Sequence, residues 1–328
     1  MMDRQGESTD TISRTSEASH SKIDVSFVIN NYNYDRFLTD AITSALNQIQ
    51  SDSATSLNVE VIVVDDGSTD SSKVIISHFT DHIHSVLKDN GGQASAFNAG
   101  FAASRGEWIC FLDADDYAHP NKALRILETA QQYPQAEWIF HTLQPVDEYL
   151  QPLIPTCDRH GATWVDLRTQ LTQGKFNPKT LPFGIPATSA LCIRRSLLTQ
   201  ILPMPESDGI TLNDSYLQYA ALGNRPGVFL NLPLAAQRHH GQNSFINTSK
   251  PQLNARIMVL TAYWLRHKFP HLALFSNSQI SLALAHQWLS KQPLPIAEQR
   301  LMKTYFQTVS WPDRIYLYFK AFYYFIRA

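Results

Sequence analysis

Residues 108–116 read WICFLDADD, five apolar or thiol side chains followed by three aspartates within four positions. The apolar run has the pattern of a buried β-strand, and the aspartates fall on the turn that follows it. If the backbone stays extended, Asp113 and Asp115 point to the same side, about 6.6 Å apart by the strand rise. Carboxylates so placed suit a hard divalent cation, since Mg²⁺ takes one or two carboxylates together with substrate phosphates. The same aspartates would also serve as turn caps in a solvated loop.

Outward from this segment the chain alternates. Apolar strands are expected at 25–30 (VSFVIN), 59–65 (VEVIVVD) and 136–141, with a weaker one at 84–88. Helices are expected between them at 37–48, 70–79, 93–104 and 120–132. Phe37, Leu38, Ala41, Ile42, Ala45 and Leu46 fall on one face of the first helix. Ser68, Thr69 or Asp70 can cap the second, and Pro120 suits a first turn. Such alternation implies βαβ units, a mostly parallel sheet and right-handed crossovers. Ligands of these sheets bind beyond the carboxyl ends of the strands. Here those ends are Asn30-Asn31, Asp65-Asp66 and Asp113–Asp116, polar groups that would converge on one rim.

The second half is less regular. Six prolines between 145 and 187 predict loops. A strand at 189–193, a short helix at 196–201, a helix at 214–222 and strands at 228–230 and 234–237 follow. From 251 the pattern is helical to the end, without a visible catalytic cluster.

Composition bounds the function. The chain has 328 residues, 44% hydrophobic and 17% charged, which argues against global disorder. A net charge of −2 gives no overall reason to bind nucleic acid. Cys110, Cys157 and Cys192 form no Cys-x-x-Cys pair, so neither a disulfide framework nor a zinc site is expected. A cytoplasmic setting is the simplest expectation. Residues 1–22 are polar and Ser/Thr-rich, as in a disordered tail.

Four further segments carry possible chemistry. In VVDDGSTD (63–70), Asp65 or Asp66 can accept from a base or ribose and Gly67 permits close backbone approach, though the segment also reads as a strand-turn-helix join. In DNGGQASAFNAG (89–100), Gly91-Gly92 precedes a helix whose N-terminus favours anions, or is an ordinary glycine turn. In LNDSYL (212–217), Asp214 is a candidate general base or a plain N-cap. In RHHGQNS (238–244), His239 or His240 can touch a diphosphate or metal, or stand in a solvated loop.

Together, over about 23–245, these segments resemble family 2 glycosyltransferases of the GT-A fold, in the order VSFVINNYNYDRFLTDAITSALNQ, VEVIVVDDGSTD, NGGQASAFNAGFAASRGEWICFLDADD, NDSYL, RHHGQNS. The resemblance implies an α/β, Rossmann-like, mostly parallel central sheet flanked by helices, with a helical C-terminal extension. It implies a catalytic domain at 23–245, divided into a nucleotide-sugar half (23–141) and an acceptor half (142–245), then the extension at 246–328. Asn30, Tyr32, Asp65, Asp66, Asn98, Asp113 and His240 would then meet the nucleotide. Asp113 and Asp115 match the Asp-x-Asp motif, Asp116 is a further metal ligand, and Asp214 matches the base. One departure is Ala96-Phe97-Asn98, where the family often has Ala-Arg-Asn. The implied activity is inverting transfer from a nucleotide-diphosphate sugar to a hydroxyl of a glycan, lipid-linked or other acceptor, with Mg²⁺ or Mn²⁺, in cell-surface glycan synthesis. A sugar-phosphate nucleotidylyltransferase, an aspartate-nucleophile phosphatase and an inactive sugar-nucleotide-binding relative are the rival readings. The aromatic segment 311–326, with Arg314, Lys320 and Arg327, is too short to span a bilayer. It reads as a terminal helix packed on the catalytic domain, with peripheral contact of 311–327 at the inner face of the plasma membrane as the other reading.

Overall fold

The structure, a computed structural model, describes residues 22–48, 57–155, 161–182, 184–206, 213–241 and 251–327. The polar tail expected at 1–22 lies outside them but for its last residue. Strand β1 (Val25–Asn31) sits between β2 (Val59–Asp66) and β4 (Trp108–Asp113), with β3 (His84–Lys88) beyond β2, all four parallel. Their side chains alternate between two cores, because a strand covered on both faces sends successive residues to opposite sides. Val28, Ile62, Val64, Ile109 and Phe111 join one core. Phe27, Ile29, Val61, Val63 and Leu112 join the other.

Helix α1 (Asp35–Leu46) covers the second face with Leu38, Ala41, Ile42 and Ala45, while buried Phe37 meets Arg238 and His240. The next helix, α2 (Ser72–Ser77), is shorter than the expected 70–79. Asp70 stands outside it, accepting from Ser72 N at 3.0 Å and from Asp35 N at 2.9 Å, so its carboxylate ties two loops together. Helix α3 (Gly92–Ala103) packs on the first face through Ala94, Ala96, Gly100 and Phe97, whose ring meets that of Phe111. A Cβ at Gly100 would overlap Val28 Cγ1 in β1. Gly100→Leu is therefore expected to lift the helix from the sheet and cost roughly 2–3 kcal/mol in urea unfolding. An unchanged midpoint would show that α3 is not packed as described.

Beyond β4 the sheet becomes mixed. The rest of the chain supplies β5 (Tyr117–Ala118), α4 (Lys122–Gln132), β6 (Trp138–Val146), β7 (Ala162–Val165), α5 (Arg168–Thr172), β8 (Leu191–Arg194), α6 (Arg195–Ile201), α7 (Asp214–Asn224) and β9 (Gly227–Arg238). The order is β3-β2-β1-β4-β8-β6-β9-β5, with β7 also on β9. β8 runs antiparallel between β4 and β6, so the parallel arrangement expected from the first half holds for its four strands and for β6 beside β9. Cys110 and Cys192 face each other across β4 and β8 as buried free thiols. The two short strands expected at 228–237 form one strand. Pro233 is accommodated where the register against β6 shifts at Thr142, since proline cannot complete a regular ladder.

The C-terminal helices are α8 (Pro251–Lys268), α9 (Ala273–Ser290), α10 (Ile296–Gln307) and α11 (Trp311–Phe325). Leu260, Leu265, Leu272 and Phe275 share the core of Tyr216, Leu217 and Phe229. Val259, Ile280, Leu284, Tyr305 and Leu317 form a second cluster among the helices themselves. Among the described residues no helix is long and apolar enough to cross a membrane.

Candidate active site

Strand register builds the site. Asn30 lies opposite Asp113 and Asn31 opposite Asp65, so three adjacent strands end in polar residues at one level. A cleft of ≈ 1020 Å³ opens there, lined by Asn30, Tyr32, Asp66, Asp113, Asp115, Asp116 and Asp214 among others. Both amide atoms of Asn30 are buried without a hydrogen-bond partner among the described residues. A buried amide left unpaired is costly, and a ligand with a donor and an acceptor edge would satisfy it. Asp66 accepts from Gly91 N at 3.0 Å and Gly92 N at 2.7 Å and pairs with Lys88 Nζ at 2.6 Å, which fixes the entry into α3. Gly67 makes the turn with φ +79°, and a Cβ there would lie 2.6 Å from Asn90 N.

Asp113, Asp115 and Asp116 bring one oxygen each within 4.8 Å of one another. Burial, reinforced by Asp115, Asp116 and Asp214, pushes the Asp113 carboxyl well above its ordinary range. Burial and then Asp115 push Asp116 up to about 8. Such mutual repulsion is what a bound cation relieves. Asp116 is anchored through both of its oxygens. Its Oδ2 accepts from Ser189 Oγ at 2.5 Å and its Oδ1 from Arg238 N at 2.9 Å. The same Ser189 Oγ accepts from Asp113 N at 3.0 Å, while Ser189 O accepts from the fully buried Lys122 Nζ at 2.8 Å. Arg238 also donates from Nε to Asp115 O at 2.9 Å, from Nη1 to Glu148 O at 2.7 Å and from Nη2 to Asp40 Oδ2 at 2.9 Å. Two buried cations thus brace the acidic turn from behind.

Asp214 opens α7 on the wall formed with residues 185–188. The cap is Asn213, whose Oδ1 accepts from Ser215 N at 3.2 Å, while the carboxylate of Asp214 also accepts from the backbone of Ser215 and Thr188. Burial pushes Asp214 up to about 6, opposed by the Thr188 hydroxyl, which donates to Oδ2 at 3.4 Å. A carboxylate with raised proton affinity in a cleft has the character of a general base.

The structure gathers Asn30, Tyr32, Asp66, Asp113, Asp115, Asp116 and Asp214 into the cleft and leaves three expected residues off its lining. Asp65 is fully buried and accepts from Asn31 Nδ2 at 2.8 Å and Ser68 N at 3.2 Å, bracing strand ends. Asn98 grips the backbone of Met204, donating to its O at 2.8 Å and accepting from its N at 2.7 Å. Neither geometry supports a nucleotide contact. His240 lies behind the acidic turn, its Nε2 3.0 Å from Asp115 Oδ2 and its ring 4.7 Å from that of Phe37. The remaining RHHGQNS residues, from 242, lie outside the described residues.

Several contributors escaped sequence reading. Lys122 carries no sign of burial beyond its place on the inner face of a helix. Arg238 stands at the head of the segment singled out for its histidines. Helix α8 contributes Asn254, Arg256 and Thr261 to the cleft, and α9 contributes Gln279, although no catalytic cluster is visible in that region of the sequence. Arg256 is the one basic side chain among the described lining residues, held by buried Glu298 at 2.6 Å.

The mixed α/β sheet, flanked by helices and ending in acidic residues on one rim, is a fold of the GT-A type. The family model for glycosyl transferase family 2 matches residues 26–198. An uncharacterized glycosyltransferase of Nostoc sp. is 34% identical over 231 residues, covering 69% of this chain and 67% of that protein. The succinoglycan biosynthesis protein ExoO of Rhizobium meliloti is 38% identical over 109 residues, 33% of this chain and 30% of that one. Among solved structures, S. aureus TarS 1–349 in complex with UDP-GlcNAc superposes with a TM-score of 0.56 at 18% identity, covering 85% of this chain and 84% of that chain. The chain belongs to glycosyltransferase family 2 and is a glycosyltransferase. This membership sets aside the nucleotidylyltransferase and phosphatase readings.

Proposed function

We propose that the protein is an inverting transferase that moves a sugar from a nucleotide-diphosphate sugar to an acceptor hydroxyl, in the assembly of a cell-surface glycan. The observation that carries this reading is the placement of a proton-accepting carboxylate, Asp214, in the same cleft as the Asp113–Asp116 cluster. The likeness to a UDP-GlcNAc complex supports the donor class, and ExoO supports the glycan setting. The unpaired amide of Asn30, with Tyr32 at the mouth, suits the base or ribose of the donor. Asp113 and Asp115 would hold Mg²⁺ or Mn²⁺, with Asp116, both of whose oxygens are engaged, as the braced third member. A cation bound there would neutralise charge on the departing diphosphate. Asp214 accepts the proton of the acceptor hydroxyl as it attacks, and a single displacement inverts the anomeric centre. Residues 23–141 form the donor half and 142–245 the acceptor half, with the extension at 246–328 closing one side of the cleft through α8.

The test is calorimetric titration with UDP, GDP and dTDP, each with and without Mn²⁺ or Mg²⁺. Binding of one nucleotide, tightened by the cation, is expected. No binding of any nucleotide under either condition would sink the proposal.

A further inference from the structure

Helix α11 is apolar on two sides. Leu317 and Ala321 are fully buried in the helical cluster. Trp311, Tyr316, Phe319, Phe322, Tyr323 and Ile326 are exposed, Phe319 by 69%. Aromatic residues at helical spacing ordinarily mark the core side of a helix. Here that side is already filled, so the second aromatic face is surplus to packing. Ile315, Tyr318, Phe319 and Phe322 line a shallow groove of ≈ 340 Å³ upon it. A contiguous exposed patch of this kind marks an interaction surface.

Charge indicates the occupant. Residues 291–328 carry six basic side chains and two acidic ones, in a chain whose net charge is −2. One of the two acids, Glu298, is buried against Arg256, which leaves Asp313 alone. The Arg327 guanidinium lies 4.5 Å over the Tyr323 ring. Lys303 is exposed one turn before Phe306, whose ring stacks on Tyr318. A second copy would present the same positive surface, which opposes self-association through this face. Tyr, Trp and Phe set beside Lys and Arg are the composition of helices that lie in the headgroup region of a bilayer. At 15 residues α11 is about 22 Å long, short of the roughly 30 Å hydrocarbon core. We propose that the exposed face of α11 docks on an anionic lipid bilayer, lying in the headgroup plane with Lys303 and Arg327 against acidic headgroups. Helix α9 joins this face to the cleft: Ser278 receives Lys320 Nζ at 2.7 Å, and the adjacent Gln279 lines the cleft.

The test is sedimentation of the full chain with vesicles of phosphatidylcholine alone or mixed with phosphatidylglycerol. Binding to the mixed vesicles is expected, weakening as salt is raised. Lys303→Glu with Arg327→Glu should weaken it at least about tenfold. Tyr316→Ser, Phe319→Ser and Phe322→Ser together should abolish it. All five side chains face solvent, and circular dichroism melting confirms that each variant is folded. No sedimentation with anionic vesicles, or equal binding by the folded variants, would overturn the proposal. So would self-association in ultracentrifugation that the serine variant abolishes.

Discussion

Asp214→Asn is expected to lower the transfer rate by about 10²–10⁴-fold while leaving nucleotide affinity unchanged. Asparagine keeps the shape of the side chain and loses its negative charge and its capacity to take a proton. In the native chain burial raises Asp214 to about 6, so the base form is gained as pH rises through that value. The transfer rate should therefore climb about tenfold per pH unit below 6 and level off above it. Stability runs in the opposite direction. The folded chain holds this proton more tightly than the unfolded chain, whose carboxyl titrates near 3.8. The contribution to stability is full below 3.8 and is lost as pH rises through about 6. Asp214→Asn removes that loss, so at pH 8 the variant should be more stable than the native protein, by up to about 3 kcal/mol. An inactive variant that melts higher is the signature of a carboxylate kept for chemistry at the expense of stability. A variant that retains activity, or one that melts lower with weakened nucleotide binding, would return Asp214 to a structural role.

Asp115→Ala is expected to abolish cation-dependent activity and the thermal shift that Mn²⁺ or Mg²⁺ produces in the native protein. A cation at about 100 times its dissociation constant adds roughly 2.7 kcal/mol, about 4 °C in Tm for a chain this size. The native shift should grow between pH 6 and pH 8. Asp113 and Asp116 both hold protons above the ordinary carboxylate range, and a cation must displace them. Chelation with EDTA should reverse the shift. Asp115→Ala also frees His240 from its contact, so His240→Gln is the control that separates the two. If Asp115→Ala keeps the cation shift and His240→Gln loses it, the acidic turn is not the metal site.

The four parallel strands were legible in the sequence because each is a short apolar run ended by a polar residue, and buried strands demand that pattern. Their register made the rim of Asn30, Asp66 and Asp113 foreseeable. Asp70, Asp65 and Asn98 show the limit. Their residue types suit both ligand contact and loop bracing, and only the position of a distant partner decides. For Asn98 that partner is Met204, which lies 106 positions away. Lys122, Ser189 and Arg238 were invisible for the same reason, since each acts on the acidic turn from a different stretch of chain. The antiparallel β8 lay beyond reach because alternation informs only about neighbours in sequence.

That insertion of β8 between β4 and β6 bears on how enzymes of this architecture can exchange parts. Asp116 takes one hydrogen bond from Ser189 and one from Arg238, both supplied from well beyond residue 141. The boundary proposed near residue 141 would be a division of labour and not of material, since cutting there would break β6, strip β4 of a sheet neighbour and leave a buried carboxylate unpaired. Recombination that swaps acceptor preference between relatives would have to carry Ser189, β8 and Arg238 together with the acidic turn they hold. Diversity of substrate in such a scaffold is accordingly easier to reach by altering loops and the capping helices than by shuffling halves.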